Sequence, residues 1–390
     1  MASAEIASNE LTATELTMSL LRAQISGDLT CVSAIEKPSD EMLLQVYRLS
    51  FSHDLAHIVA SSLDRLGYLS DSTVKTAFKK AQNTAIFRYI EQSDAYESIC
   101  SSLDSEGIPY VPLKGAVIRD LYPSPEQRSA CDIDVLVRES DMQKAENTVK
   151  KLGFERTGKC FHDVAFTRGT VHLELHYNIT EDDTRLDRLL SHAWEHVKES
   201  DTCKHNFTNE FFTFHLVAHS CYHFLHGGCG IKPLLDLWIL RNKLPIDEEK
   251  LSHLLDECEL GEFYFAICHL SRVWFEGKSH TDLTKALEKY VLAGGVYGSR
   301  ENKIVAQKNE TGTKAKYLAS RIFMSRNQLE MLYPALKEHP ALLPLCHLRR
   351  WIRVMKKGRA GKAIGEIAYA ATMPREKDKE IENLLKSLKL

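Results

Sequence analysis

At 390 residues the chain exceeds the usual size of one domain, and its 44% hydrophobic and 26% charged residues are an ordinary balance for a soluble globular protein of two or three lobes. A formal net charge of -3 and a pI near 6.6 argue against a surface made for unspecific nucleic-acid binding. No apolar run approaches the ~20 residues of a membrane helix, so no membrane partner is expected. The ten cysteines include no Cys-x-x-Cys pair and read as buried or free thiols rather than a disulfide framework or a zinc site. The first ten residues hold acidic groups and lack a basic stretch followed by an apolar one, which leaves a cytoplasmic setting as the expectation.

The first hundred or so residues read as helical. Segments 41–50 and 54–63 space their apolar residues as a helix does, and a long segment follows, capped by Ser72 and reaching about Leu103. Within it Val74, Ala77, Phe78, Ala81, Ala85, Ile86 and Tyr89 trace one stripe. His53 and His57 stand one helical turn apart; without a carboxylate partner they read as surface or packing residues rather than metal ligands.

Residues 108–113 read as a strand running into Lys114-Gly115, with a short helix over 116–121 that Pro123 and Pro125 stop. A glycine between strand and helix lets backbone amides approach a phosphate, and Lys114 adds a point charge. By itself the turn reads better as an ordinary strand-to-helix connection with a solvated lysine. The next strand, within 128–137, alternates Asp132 and Asp134 with Ile133, Val135 and Val137, so the two carboxylates project together and the aliphatic side chains enter a core. Two carboxylates on one face form a hard-cation site suited to Mg2+ or Mn2+.

Ser140 and Gln143 have the spacing of a capping box for a helix whose buried stripe is Met142, Ala145, Val149 and Leu152 and which ends at Gly153. Residues 154–158 lead into two strands, 162–167 and 170–178, joined by a hairpin turn at Arg168-Gly169. In the second, Val171, Leu173, Leu175 and Tyr177 share one face and His172, Glu174 and His176 the other. A carboxylate on an apolar strand needs a partner, and the Asp132/Asp134 site is the one at hand.

From residue 209 the chain reads as mostly helical. His215, His219 and His223 recur at four-residue steps, yet three side chains along one straight helix are too far apart to surround an ion, and the zincin glutamate is missing. His219 and His223 either line a nucleotide or acceptor cleft or form a buried hydrogen-bonded pair. The glycine-rich 227–230 breaks that helix, and Lys232-Pro233 starts another that bears Asp236 on an apolar face, in contact with the histidines or with a ligand hydroxyl. A break at 292–299 precedes the polar run 300–316, read as a lid or a connector. The stretch 347–359 is basic through Arg349, Arg350, Arg353, Lys356 and Lys357, a face for triphosphate or RNA or simply a solvated one.

A glycine turn, a helix, a strand with Asp-x-Asp, another helix and a strand with a third acid is an order that resembles the nucleotidyltransferase fold of DNA polymerase beta and its small relatives. More closely, Leu113-Lys-Gly115, Arg128 with Asp132-Ile-Asp134, Lys151-Leu-Gly-Phe154, Leu173-Glu-Leu-His176 and His219-Ser-Cys-Tyr-His223 are similar to an uncharacterised bacterial family, nucleotidyltransferase family 5. The phosphate turn departs from the Gly-Gly or Gly-Ser common in the superfamily, and Glu174 stands where many relatives have aspartate. The resemblance implies an α+β fold, a small mixed β-sheet core over 105–200 flanked by helical regions 1–104 and 201–390. It also implies metal-dependent transfer of a nucleoside monophosphate, with Asp132, Asp134 and Glu174 catalytic and holding Mg2+ or Mn2+. Lys114, Gly115, Arg128, His219, His223, Lys232 and Asp236 are the expected nucleotide-binding residues. The donor expected is ATP or another nucleoside triphosphate, the acceptor a small molecule or protein in preference to RNA. The alternatives are an RNA-end nucleotidyltransferase and a non-catalytic nucleotide-binding protein that kept the fold.

Overall fold

The computed structural model describes residues 12–33, 35–181, 183–311, 322–324, 326–356, 369 and 375–390. Four longer helices come first: α1 (Ala13–Ser26), α2 (Asp40–Ser52), α3 (Ala56–Arg65) and α4 (Lys75–Ser105). Thr12 and Glu15 close a reciprocal capping box on α1, and Gly27 ends it in the left-handed region at φ 76°. His53 and His57 do not share a helix turn, because α2 ends before His53 and α3 begins at Ala56. Both rings are buried: His53 Nδ1 accepts from the Ile231 amide at 3.3 Å, and His57 Nε2 lies 2.9 Å from the Gln127 carbonyl.

Helix α4 serves two cores. Phe78 packs with the N-terminal helices, whereas Ala95, Ile99 and Leu103 lie against the sheet. Because the buried face changes between these contacts, Ile86 is exposed although its spacing placed it on the apolar stripe. The helix begins at Lys75 without a side-chain cap; the Ser72 hydroxyl accepts from the Val74 amide, and the Ser72 carbonyl from the Lys75 amide.

The sheet follows: β1 (Tyr110–Pro112), β2 (Ile133–Val137), β3 (Glu155–Lys159), β4 (Asp163–Arg168) and β5 (Val171–His176), ordered β1-β2-β5-β4-β3. Only β2 and β5 pair in parallel; the other neighbours are antiparallel. A one-turn helix α5 (Gly115–Ile118) follows β1, and α6 (Met142–Lys151) joins β2 to β3. Ile133, Val135 and Val137 pack with Leu173 and Leu175 against Met142, Ala145 and Val149 of α6. Strand β3 lies where the sequence suggests only a lead-in, because Glu-Arg-Thr-Gly-Lys has no apolar alternation; it is an exposed edge with a register shift between Arg156 and Gly158. The capping box expected at Ser140 does not form: a 3-10 turn over Glu139–Asp141 precedes α6, and Gln143 bonds Asn147 at 3.3 Å.

The remaining longer helices are α7 (Asn209–Leu225), α8 (Lys232–Lys243), α9 (Glu248–Glu257), α10 (Gly261–Glu276), α11 (Asp282–Leu292), α12 (Arg300–Thr311), α13 (Leu343–Lys356) and α14 (Arg375–Ser387). Where a lid or connector was expected after residue 299, α12 forms, because Ile304, Val305 and Ala306 are buried and the Ser299 hydroxyl accepts from the Asn302 amide. The end of that run, 312–316, lies outside the described residues, as does Lys357. Arg349 and Arg353 stand 5.9 and 5.8 Å from the Tyr333 ring, and Arg350 donates to the Ile322 carbonyl at 2.9 Å. One apolar cluster runs from Leu16 through Phe211 and Phe263 to Leu388, and it takes in Val111, Leu113, Ile118 and Leu136 from the sheet side. No described helix is long and apolar enough to cross a membrane, and all ten cysteines are free thiols.

Candidate active site

Strand β2 is buried at every position, so its alternation sends Asp134 and Leu136 to the face opposite Ile133, Val135 and Val137. In the parallel ladder Asp134 lies directly beside Glu174, and Leu136 beside His176. The His176 ring reaches back along this face: Nε2 lies 3.0 Å from Asp134 Oδ1 and 3.5 Å from Glu174 Oε2. Lys114 Nζ meets the same Asp134 oxygen at 3.3 Å. Asp132 stands just before β2 and is half-buried.

Two backbone details bring the turn to this strand. Lys114 has φ 41° and ψ -112°, a conformation that non-glycine residues adopt only at a cost of ~1–3 kcal/mol. At Gly115 a Cβ would stand 3.2 Å from that of Ala130 and 3.9 Å from Arg128 Nη1, so the glycine lets the turn close on the segment entering β2. With only four residues, α5 presents a few amides rather than a helix macrodipole.

Charges are balanced locally. Burial alone would raise the Asp134 carboxyl, yet Lys114 and the His176 hydrogen bond hold it well below the carboxylate range. Repulsion from Asp134 and then burial raise Asp132. His176 loses from burial and gains more from Asp134 and Glu174, which push it up to about 9. Lys114 likewise stays charged against burial because Asp134, Asp132, Glu181 and Glu174 surround it.

The second wall comes from α7. His219 Nδ1 lies 2.6 Å from Glu181 Oε1, and His219 Nε2 lies 3.1 Å from His223 Nε2. His215 is fully enclosed beneath them, pushed down to about 3 chiefly by burial. Asp236 does not touch the histidines. Its Oδ1 accepts from the Tyr122 hydroxyl and from Arg128 Nε, both at 2.7 Å. Arg128 Nη1 also donates to the Ser129 carbonyl at 2.5 Å, and Lys232 Nζ pairs with Asp54 and donates to Ser129 Oγ at 3.1 Å. Gln92 Nε2 donates to the Ala130 carbonyl at 3.0 Å. These contacts fix residues 127–130, the segment that leads into Asp132.

The model of a family described as "uncharacterised nucleotidyltransferase" matches residues 41–276. The chain belongs to this family. A search of curated proteins found no match. Among solved structures, the antibiotic-resistance factor ANT(2'')-Ia is 14% identical and aligns over 46% of this chain and 97% of its own, at a TM-score of 0.35.

In this nucleotidyltransferase the sequence-derived residues fall into three groups, of which His219 and His223 on α7 are one. Lys114, Asp134 and Glu174 gather at the β2–β5 edge with Asp132 next to them, while Arg128, Lys232 and Asp236 are tied into the buried network behind Gly115. Two residues of the site were not singled out from the sequence. His176 was placed on the Glu174 face without a role, and its two-residue offset from Glu174 was the available signal. Glu181 lies past the end of β5, where no local pattern marks it. Ligand atoms of Asp134, Glu174 and His176 lie within 4.8 Å of one another. With Asp132 beside them, the three carboxylates gather more negative charge than Lys114 and His176 together offset, which suits a hard divalent cation.

Proposed function

We propose that this nucleotidyltransferase moves a nucleoside monophosphate from a nucleoside triphosphate, with ATP as donor, to a hydroxyl of a small molecule or protein, releasing pyrophosphate. The observation that carries the reading is the parallel register that sets Asp134 beside Glu174 at the Lys114-Gly115 turn, in a chain of a nucleotidyltransferase family. Asp132, Asp134 and Glu174 would hold Mg2+ or Mn2+, with His176 orienting Asp134 and Glu174 by hydrogen bonds. Such an ion, when bound, neutralises phosphate charge and lowers the pKa of a coordinated hydroxyl. Lys114 and the Gly115 turn face the β- and γ-phosphates, and Arg128, paired with Asp236, braces the segment behind that turn. Lys232 and Asp236 support nucleotide binding by fixing the segment that carries Arg128, and His219 and His223 form the acceptor side.

Incubation with Mg2+ or Mn2+ and each triphosphate labelled at the α-phosphate, in the presence of small alcohols, protein hydroxyls and an RNA end, tests this reading. Pyrophosphate and a labelled non-RNA acceptor are expected, and Asp134→Ala abolishes both while retaining the fold. Metal-dependent triphosphate binding without turnover would make the chain a nucleotide-binding protein; label on RNA alone would make RNA the acceptor. Activity surviving Asp134→Ala would move the chemistry to another site.

A further inference from the structure

The polar contacts on the histidine face of α7 form a continuous chain. Glu181 is buried, His219 half-buried and His223 exposed, so the chain leads from an interior carboxyl to the protein surface. A neutral imidazole carries one proton on two nitrogens, and this fixes the hydrogen-bond pattern. With Glu181 ionised, His219 donates from Nδ1, and its Nε2 accepts the Nε2–H of His223. His223 Nδ1 then carries a lone pair, with no partner among the described residues. With Glu181 protonated, both hydrogen bonds reverse and His223 Nδ1 carries the hydrogen.

Resting on the nucleotidyl-transfer reading, the geometry points to Glu181, His219 and His223 as a proton relay that takes up the hydrogen of the acceptor hydroxyl. His223 Nδ1 removes that proton as the acceptor oxygen bonds the α-phosphorus. The bond from the α-phosphorus to the bridging oxygen of pyrophosphate breaks, and its electron pair leaves with the pyrophosphate. The Nε2 proton of His223 passes to His219 Nε2, and the Nδ1 proton of His219 passes to Glu181. One proton enters and one rests on the carboxyl, so neither imidazole is left charged. His223 is the catalytic residue here; His219 and Glu181 are positioning residues that act through it.

The surroundings favour this distribution. Partial burial of its ring and then the neighbouring His219 lower His223, and burial followed by Lys114 holds His219 well below the usual imidazole value. Burial raises Glu181, against the opposing charge of Lys114. Imidazolium is disfavoured along this face and a neutral carboxyl is favoured. The other groups that face His219 are Lys114, Asp134, His176, His162 and His215.

Two measurements on the full chain test the relay. Histidine-selective nitrogen NMR near pH 7 is expected to show opposite tautomers, His219 protonated at Nδ1 and His223 at Nε2; identical tautomers, or an imidazolium at His223, overturn it. Pyrophosphate release from ATP with Mn2+ is then compared with ethanol and with the more acidic trifluoroethanol as acceptor. Glu181→Gln keeps an oxygen for His219 Nδ1 but takes no proton. It and His223→Gln are expected to lose roughly a hundred- to ten-thousand-fold with ethanol and far less with trifluoroethanol, with metal-dependent ATP binding unchanged. Equal losses with both alcohols overturn the relay while leaving nucleotidyl transfer standing. No pyrophosphate release by the unaltered chain with either alcohol or with protein hydroxyls overturns the transfer reading and the relay together.

Discussion

Asp236 is 4% exposed on an otherwise apolar face, and its partners come from a segment more than a hundred residues earlier in the chain. A carboxylate at this depth stays ionised only when it is paired and hydrogen-bonded. Asp236→Ala leaves Arg128 buried with its charge uncompensated, and urea unfolding is expected to show a loss of about 3–5 kcal/mol. A loss below ~1 kcal/mol would mean that the contact matters to a ligand rather than to the fold. This pairing was not legible in the sequence, where Asp236 offered two readings and Arg128 none that joined them. The face shared by Glu174 and His176 was legible, because alternation along a strand depends only on counting residues. What counting did not reveal is that His176 folds back onto Asp134, a contact made by side-chain reach across two strands.

The helical hairpin of α7 and α8 is held by close backbone contact at its turn. The turn 227–230 receives a second glycine-rich loop: Ser299 donates its amide to the Gly227 carbonyl at 2.8 Å, and a Cβ on Gly298 would stand 1.8 Å from the same oxygen. Gly298 also has φ 66°. Gly298→Ala therefore adds backbone strain to a steric clash, and denaturant titration is expected to show a loss of about 2–4 kcal/mol. Both glycine clusters were read as helix breaks, which they are, but their mutual fit depends on tertiary structure. Long amphipathic elements such as α4 and α6 were legible from periodicity. The edge strand β3 and helix α12 were not, since the first lacks apolar residues and the second places Ile304, Val305 and Ala306 consecutively rather than at turn spacing.

At the level of the whole molecule, the N-terminal and C-terminal helices share one apolar cluster, and His53 sits where they meet. Burial pushes this imidazole from its ordinary 6.5 down to about 4. The unfolded chain binds the proton first as pH falls, so stability is lost progressively below pH 6.5 and the loss levels off near pH 4, at a slope of up to ~1.4 kcal/mol per pH unit from this group. Urea midpoints taken from pH 7 to pH 4 should fall accordingly, and His53→Gln should flatten part of that decline; an unchanged slope would assign the pH dependence to other groups. The strand order was not deducible from alternation, which identifies faces but not neighbours; the resemblance to a known fold implied a small mixed sheet and no order of strands within it.

The β2–β5 pairing also distinguishes two kinds of length change. Gly169 and Thr170 connect β4 to β5 at the surface, with Gly169 at φ 59°, so extra residues inserted there would lengthen a hairpin without moving the ladder. Deletion of a single residue between Val171 and Glu174 is different. Because side chains alternate, it would turn the carboxylate towards Met142 and Val149 and present a leucine to Asp134 and Lys114. Relatives of this chain are therefore expected to vary in the length of this hairpin while keeping the number of residues between Val171 and His176.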